Sequence, residues 1–241
     1  MKNMLRVFLV VAAIVSSQTY AQRGFSDSPI GIGGGYLANY VMPKVDGFNK
    51  ELKNFGSDEL STSGMFSHGG AGFGYIGFLP NVRLGGMGTG GSMNSSVTVL
   101  GVTREAEYSQ SFYGLTVEYT LPFIKSVGVS AGAILGGGNT SLTLSASSPK
   151  AWGDFWNEAN NGSTVNYTRK LKANYFAVTP TLNVDIPLSY LVALRVGGGY
   201  TVGFGESWKL DNDKELSAVP TDVSVSSAFI QVGVFFGFFA Y

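Results

Sequence analysis

The sequence predicts an all-β fold: a single eight-stranded antiparallel up-and-down transmembrane β-barrel with short periplasmic turns and long extracellular loops. Three observations predict it. The chain is 44% hydrophobic but only 13% charged, whereas soluble domains contain about 25% charged residues. Apolar residues alternate with small or polar ones, and no apolar run after residue 21 is long enough for a membrane helix. Short and long connections alternate along the chain, as expected when turns face one side of a membrane and loops the other.

The first 21 residues have the features of a cleaved secretory signal peptide. Lys2 and Arg6 give a positively charged start, residues 7–15 are apolar, and Thr-Tyr-Ala at 19–21 fits a small-residue cleavage site. The apolar stretch is too short for a spanning helix, which needs about 20 residues. No Cys follows, which excludes a lipoprotein anchor. We therefore expect the barrel to occupy residues 22–241.

The composition excludes several classes of protein. Removal of the signal peptide leaves 14 Lys and Arg against 16 Asp and Glu, so the chain is not basic enough to bind nucleic acid through its phosphates. There is no Cys and a single His, which excludes disulfides and leaves almost no metal chemistry. The hydrophobic content is also too high for a disordered chain. We expect no metal ion and no cofactor.

The predicted strands are separated by turn chemistry. They cover residues 29–42, 66–79, 82–93, 105–121, 126–145, 164–186, 190–206 and 223–241. Pro80, Pro122 and Pro187 mark three tight turns, because proline has a fixed φ and no N–H to donate to a ladder. The longer connections are polar and cover residues 43–64, 94–104, 146–163 and 207–222.

The two faces of the strands set the expected orientation. Strands 4, 6 and 7 carry apolar residues such as Val117, Val184 and Val202 on one face and mainly glycine, threonine or charged residues on the other. On strand 2 the apolar set includes Phe73, opposite Gly72. Because the second face has too few charges for a soluble exterior, we expect the apolar face to contact lipid. The rival interpretation is a soluble periplasmic barrel with its apolar face inside.

Aromatic residues collect near the predicted strand ends, where amphipathic rings favour membrane interfaces. They are Tyr40, Phe78, Tyr119, Phe123, Tyr190, Trp208 and Phe239. Together with the signal peptide, the alternating strands and the proline turns, the aromatic C-terminus at 235–241 resembles small bacterial outer-membrane barrels of the OmpA, OmpX and OmpW type. The resemblance implies a bacterial outer-membrane location. It also implies that Phe239 and Tyr241 form the signal read by the barrel-assembly machinery.

The last strand leaves its orientation open. Its better lipid face is formed by alternate apolar residues from Ile230 to Phe238, which would turn Tyr241 inward. A bulge at Gly237 would restore the outward direction of Tyr241.

Four charges fall inside the predicted membrane band: Arg83, Glu118, Asp185 and Arg195. Each lies opposite the apolar face of its strand, at a similar depth near the proline turns. Because a buried charge persists when it is paired, we expect an interior salt-bridge network that plugs the lumen. The network would either fix strand register or take part in gating. Catalysis is the least favoured role.

His68 and its neighbour Ser67 raise the possibility of a barrel enzyme that modifies lipid. A general base needs an orienting partner and a nucleophile within reach. No acidic residue is near in sequence, and glycines surround the pair. We therefore predict a non-enzymatic protein.

The first long connection predicts a short amphipathic helix. Phe48, Leu52 and Phe55 are spaced for one helical face, and Gly56 follows as a C-cap. This helix would cap the barrel mouth or lie at the membrane interface.

Two further segments are candidates for contacts outside the barrel. Trp152, Phe155 and Trp156 lie in the third long connection, where they would bind a ligand or pack on neighbouring loops. Lys170 and Lys172 have the lipid-facing parity of strand 6, just above the apolar band, and would contact lipopolysaccharide phosphates.

The expected function is a structural or surface-interacting role for a barrel with a closed or narrow lumen. The alternative is a conduit or binding pocket for small apolar solutes. The expected partners are outer-membrane lipid or lipopolysaccharide and, during biogenesis, the barrel-assembly machinery. The sequence specifies no oligomeric state.

Overall fold

The computed structural model describes residues 30–122, 124, 127–162, 166–220 and 222–240. The predicted signal peptide lies outside these residues. In chain order the elements are β1 (Ile30–Pro43), α1 (Asp46–Phe55), β2 (Met65–Tyr75), β3 (Val82–Val99), β4 (Val102–Thr120), β5 (Gly128–Ser147), α2 (Trp152–Asn161), β6 (Tyr167–Pro187), β7 (Val192–Leu210) and β8 (Ser227–Ala240).

Each strand pairs with the next, and β8 pairs antiparallel with β1, so the sheet is a closed barrel. The predicted all-β, eight-stranded up-and-down architecture is confirmed. Within the described residues, no helix has the length and apolar character to cross a membrane.

The barrel is apolar outside, and its interior contains many polar side chains together with two buried apolar clusters. Exposed outward side chains include Ile32, Leu84, Leu115, Val117, Leu135, Phe176, Leu182, Val202, Ile230 and Phe236. Buried inward side chains include Thr116, Thr120, Ser130, Thr179, Asn183 and Gln231. The predicted orientation of strands 4, 6 and 7 is confirmed. On β8, pairing with β1 runs without a register shift past Gly237, so Gly237 forms no bulge against β1.

Strand β2 departs from the predicted orientation. Phe73 is predicted to face lipid, but it points inward and is 6% exposed, whereas Phe66 on the opposite face is 76% exposed. The Phe73 ring centroid lies 5.6 Å from that of Phe235 inside the barrel. The prediction is wrong because the other face of β2 consists mainly of glycines. The face that contains Phe73 is therefore the more hydrophobic of the two, and hydrophobicity alone assigns it to lipid.

The predicted loop at 94–104 is also wrong. Strand β3 continues to Val99 and β4 begins at Val102, leaving Leu100 and Gly101 as the turn, with φ of 52° and 79°. The segment looks like a loop because its outward residues are polar.

Above the apolar band, two rows of outward residues run across β3–β6: Ser92, Ser109, Ser141 and Lys172, and then Asn94, Glu107, Thr143 and Lys170. We call these two rows the outer polar sheet.

A bulge in β7 turns Trp208 into the barrel. The pairing of β6 with β7 shifts register between Asn174 and Phe176, close to Gly205, whose φ is 68°. An extra residue reverses the alternation of side chains beyond it. Trp208 is consequently 5% exposed and does not lie at a membrane interface, contrary to the prediction.

Helix α1 fills the outer mouth of the barrel. Gly56 ends it in the left-handed conformation, with φ of 78°, as predicted. Of the two predicted positions, the structure shows the mouth, because Phe48 and Leu52 belong to a buried apolar cluster with residues of five strands. This cluster, the mouth cluster, includes Val45, Phe48, Leu52, Leu60, Met65, Tyr108, Leu142, Tyr175, Trp208 and Val225.

Candidate functional site

The lumen contains a ring of four charged side chains near the proline turns. Arg83 pairs directly with Glu118 on the neighbouring strands β3 and β4, and Asp185 pairs with Arg195 on β6 and β7. The Arg83 Nε to Glu118 Oε2 distance is 2.5 Å, and the Arg195 Nε to Asp185 Oδ1 distance is 2.7 Å. The structure therefore brings all four predicted residues into two strand-to-strand pairs.

The two pairs are joined across the lumen. Arg83 Nη1 lies 2.6 Å from Asp185 Oδ2, and Arg195 Nη1 lies 3.5 Å from Glu118 Oε1. None of the four residues is more than 4% exposed. With two positive and two negative groups, the ring is neutral. We call it the charge network.

Neutral polar side chains add hydrogen bonds to the charge network. Arg83 Nη2 donates to Ser130 Oγ at 2.7 Å, and Asn183 Nδ2 donates to Glu118 Oε1 at 2.7 Å. Gln231 Nε2 donates in turn to Asn183 Oδ1 at 2.6 Å. Such partners are needed because buried ions repay their desolvation only when their remaining hydrogen-bonding groups are satisfied. Sequence reasoning missed these residues, since each looks like any other inward polar residue.

Two phenylalanine rings cover the arginines. The Arg83 guanidinium carbon lies 4.7 Å from the Phe73 ring centroid. The Arg195 guanidinium carbon lies 5.2 Å from Phe73 and 4.6 Å from Phe235. These distances allow cation–π attraction, which strengthens when the cation is desolvated. Phe73 thus belongs to the site from which the sequence prediction excluded it.

The mouth cluster occupies the opposite end of the lumen. The Phe48 ring meets Trp208 edge-on at a centroid distance of 5.4 Å and lies 6.0 Å from Tyr108. Asn49 holds the chain after the helix, since its side chain donates to Leu60 O at 3.0 Å and accepts from Leu60 N at 2.9 Å. Apolar contacts with the strands and hydrogen bonds to the segment that follows the helix therefore hold α1 in the mouth of the barrel.

An exposed ion pair ties α1 to the last connection of the barrel. Lys50 Nζ lies 2.5 Å from Asp222 Oδ2. Their hydrogen bond raises the pKa of Lys50 above its ordinary value and lowers the pKa of Asp222 below its own. The pair links the two connections that meet over the mouth.

The three predicted loop aromatics lie on α2. Trp152, Phe155 and Trp156 are at least half exposed, and α2 has no buried residue in the described chain. Their ring contacts are with one another: Trp152 with Trp156 at 5.8 Å and Phe155 with Trp156 at 5.2 Å. The rings are presented to the outside of the barrel.

The two predicted headgroup lysines differ in their partners. Lys172 Nζ lies 2.8 Å from Asp213 Oδ1 in the last connection. Lys170 lies one row further out on the same face of β6 and is exposed. Both belong to the outer polar sheet.

Ser67 and His68 lie on opposite faces of β2. Ser67 is buried and faces the lumen, whereas His68 is exposed on the outer surface beside Tyr36, with ring centroids 6.4 Å apart. Neighbouring strand residues cannot bring their side chains to one point, so the two do not form a nucleophile–base pair.

The predicted assembly signal, formed by Phe239 and Tyr241, is only partly described. Phe239 lies in β8, and Tyr241 lies outside the described residues. In the described part of the chain, no group of His, Cys, Asp or Glu could hold a metal ion.

Neither a known protein family nor a curated protein sequence matches the chain. Similar solved structures include Ail, the attachment invasion locus protein of Yersinia pestis, in complex with the heparin analogue sucrose octasulfate. It is 13% identical, with a TM-score of 0.41, over 87% of this chain and 97% of that one. A major outer membrane protein from Thermus thermophilus is 9% identical, with a TM-score of 0.47, over 86% and 99%. The outer membrane protease OmpT from Escherichia coli is 9% identical, with a TM-score of 0.37, over 93% and 100%. At these values the likeness extends to the barrel alone.

The geometry of the chain itself defines its class. A closed antiparallel sheet leaves no unpaired edge, and an apolar exterior around a polar interior suits hydrocarbon outside and ions inside. The protein is a small outer-membrane β-barrel. Within the described residues, the charge network and the mouth cluster lie at opposite ends of its lumen.

Proposed function

We propose that this chain is a sealed outer-membrane barrel that acts at the cell surface, without passing solutes and without catalysing a reaction. The double closure of the lumen carries the proposal. A solute entering from outside would meet the packed rings of the mouth cluster. A solute entering from the periplasm would meet four buried ions held by direct contacts.

The space left between the closures supports a sealed state. Two small cavities lie in the lumen, of about 30 Å³ and about 10 Å³. A water molecule needs roughly 10–15 Å³ by this measure. The cavities therefore have room for a few waters at most, and a small apolar solute would have to displace side chains.

The residues offered to the outside support a surface role. Helix α2 presents Trp152, Phe155 and Trp156 to solvent, and large aromatic side chains are typical anchors of binding surfaces. Below them, the outer polar sheet offers Lys170 and Lys172, which are suited to phosphate groups of lipopolysaccharide. The barrel then serves as the anchor that displays both surfaces.

Electrical recordings test the sealed lumen. Purified protein in planar bilayers should give no conductance above that of the bare bilayer, while a general porin prepared in the same way conducts. Reproducible channel openings by the wild-type protein would overturn the proposal.

A surface assay tests the role of α2. Cells that display the protein are partitioned between buffer and hexadecane. Replacing Trp152, Phe155 and Trp156 by Ser should lower the fraction of cells held at the hexadecane interface, and the matched control replaces Asn157, Asn160 and Asn161 of the same helix by Ser. Equal retention of the two variants would show that the aromatic face takes no part in surface contacts.

A further inference from the structure

The larger lumen cavity lies between the mouth cluster and the charge network. It has a volume of about 30 Å³. Its polar lining residues are Asn39, Ser67, Thr89, Gln110, Thr201 and Ser227. The rest of the lining is apolar or aromatic and includes Met87.

Two residues that line this cavity have a side-chain amide oxygen with no hydrogen-bond partner among the described residues. The two oxygens are Asn39 Oδ1 and Gln110 Oε1, and their residues are only 3% and 8% exposed. The Gln110 amide is oriented by its nitrogen, which donates to Tyr175 Oη at 3.3 Å and to Val225 O at 3.2 Å. A buried acceptor without a donor is costly, so both oxygens need a donor that the protein does not supply.

The chemistry of the cavity identifies the missing donor. Both unpartnered atoms are acceptors, so the ligand must donate hydrogen bonds or carry positive charge. The lining contains no charged residue, so an ion would lose hydration without gaining an opposite charge. The volume matches about two water molecules, and hydroxyls of the lining lie around them as further partners.

We propose that this cavity is a permanent hydration site, in which one or two water molecules donate hydrogen bonds to Asn39 Oδ1 and Gln110 Oε1. The waters supply the hydrogen bonds that these two oxygens lack. They are an integral part of the folded barrel and not a sample of bulk solvent.

Met87 separates this site from the smaller cavity. Met87 lines both cavities, and Gln231 and Thr181 line the smaller one. Gln231 Oε1 and Thr181 Oγ1 also have no partner among the described residues. Shortening Met87 should join the cavities and admit more water to these acceptors.

Nuclear Overhauser spectroscopy of the protein in lipid nanodiscs tests the site. Long-lived water should give cross-peaks of the sign expected for bound water at the Gln110 side-chain amide. Asn39→Leu should at least halve their intensity, whereas Asn94→Leu, the same change on the exposed face of β3, should leave them unchanged. Met87→Ala should add water cross-peaks at the Gln231 amide.

Three results would overturn the proposal. The first is the absence of bound-water cross-peaks in the wild-type protein, which needs no variant to fold. The second is equal intensity in the Asn39→Leu and Asn94→Leu proteins. The third is a saturable shift of the Gln110 amide on addition of sodium, potassium or ammonium chloride, which would show that a cation occupies the cavity. If Asn39→Leu does not fold, Gln110→Met is compared with the wild type in its place, with the cross-peaks read at the Asn39 amide.

Discussion

Arg83 and Asp185 meet across the lumen, with 2.6 Å between Nη1 and Oδ2, although their strands β3 and β6 are not neighbours in the sheet. Each also pairs with a partner on the adjoining strand. The cross-lumen contact converts two ordinary strand pairs into one network that spans the lumen. Its members therefore depend on one another for compensation of buried charge.

Asp185→Asn should destabilise the barrel strongly, because it leaves two buried guanidiniums facing a single carboxylate. We expect the free energy of unfolding to fall by about 3–5 kcal/mol, as for other buried pairs that lose one partner. Urea unfolding in lipid vesicles measures it. The control is Asp213→Asn, which removes the exposed partner of Lys172 and should lower the free energy of unfolding far less, because solvent screens an exposed ion pair. Equal losses in the two variants would contradict a buried, mutually dependent network.

The inward position of Phe73 can be tested by chemical labelling, because the chain contains no Cys. Phe73→Cys should stay unreactive towards a lipid-soluble maleimide in intact proteoliposomes. Phe176→Cys, at an exposed position on β6, should react readily. Both thiols should react after unfolding in detergent and urea. Labelling of Phe73→Cys from the lipid phase would show that residue 73 faces lipid, as predicted from the sequence, and would contradict its inward position.

Much of the barrel follows from the sequence because alternation is a local property. Wherever one face of a strand is apolar and the other is not, as on β4 with Val117 against Glu118, the orientation can be predicted directly. The four charges of the network are visible for the same reason, since each interrupts a membrane-spanning segment. Their depth near the proline turns also predicts that they are close together.

The remaining features depend on long-range geometry. On β2, glycine occupies the face opposite Phe73, and the inward ring is explained by its contacts with Arg83 on the adjoining strand β3 and Arg195 on β7. The bulge near Gly205 moves the Trp208 side chain to the other face of its strand. The local feature that marks this bulge is a glycine with a positive φ. Asn183 and Gln231 become part of the site through contacts across the barrel, which no spacing along the chain reveals.

In the proposed sealed barrel the charge network and the mouth cluster block the lumen in series, so opening one of them should not make a channel. We expect no conductance from Phe48→Ala with Leu52→Ala, which loosens the mouth cluster, or from Arg195→Ala, which breaks the charge network. The combined triple variant should conduct in planar bilayers. Conductance from Arg195→Ala alone would mean that the mouth cluster does not seal the barrel.

A fluorescence titration tests the exposed pair that ties α1 to the last connection. Replacing Trp152 and Trp156 by Phe leaves Trp208, which contacts Phe48, as the single tryptophan. The pKa of Asp222 lies below its ordinary 3.8 in the folded protein, so the stabilising contribution of the pair is present above that value and is lost as pH falls through the lower folded pKa. The pKa of Lys50 lies above its ordinary 10.5, so on the alkaline side the contribution persists to at least that pH.

We therefore expect constant Trp208 emission between about pH 5 and pH 9 and a shift to longer wavelength in strong acid, as α1 loosens. Asp222→Asn, which cannot titrate, should reduce the acid shift. Glu59→Gln, which removes the other acidic partner of α1, at Lys53, is the matched comparison and should leave more of the shift in place. If Asp222→Asn retained the full wild-type acid transition, the Lys50–Asp222 pair would not be what holds the helix over the mouth.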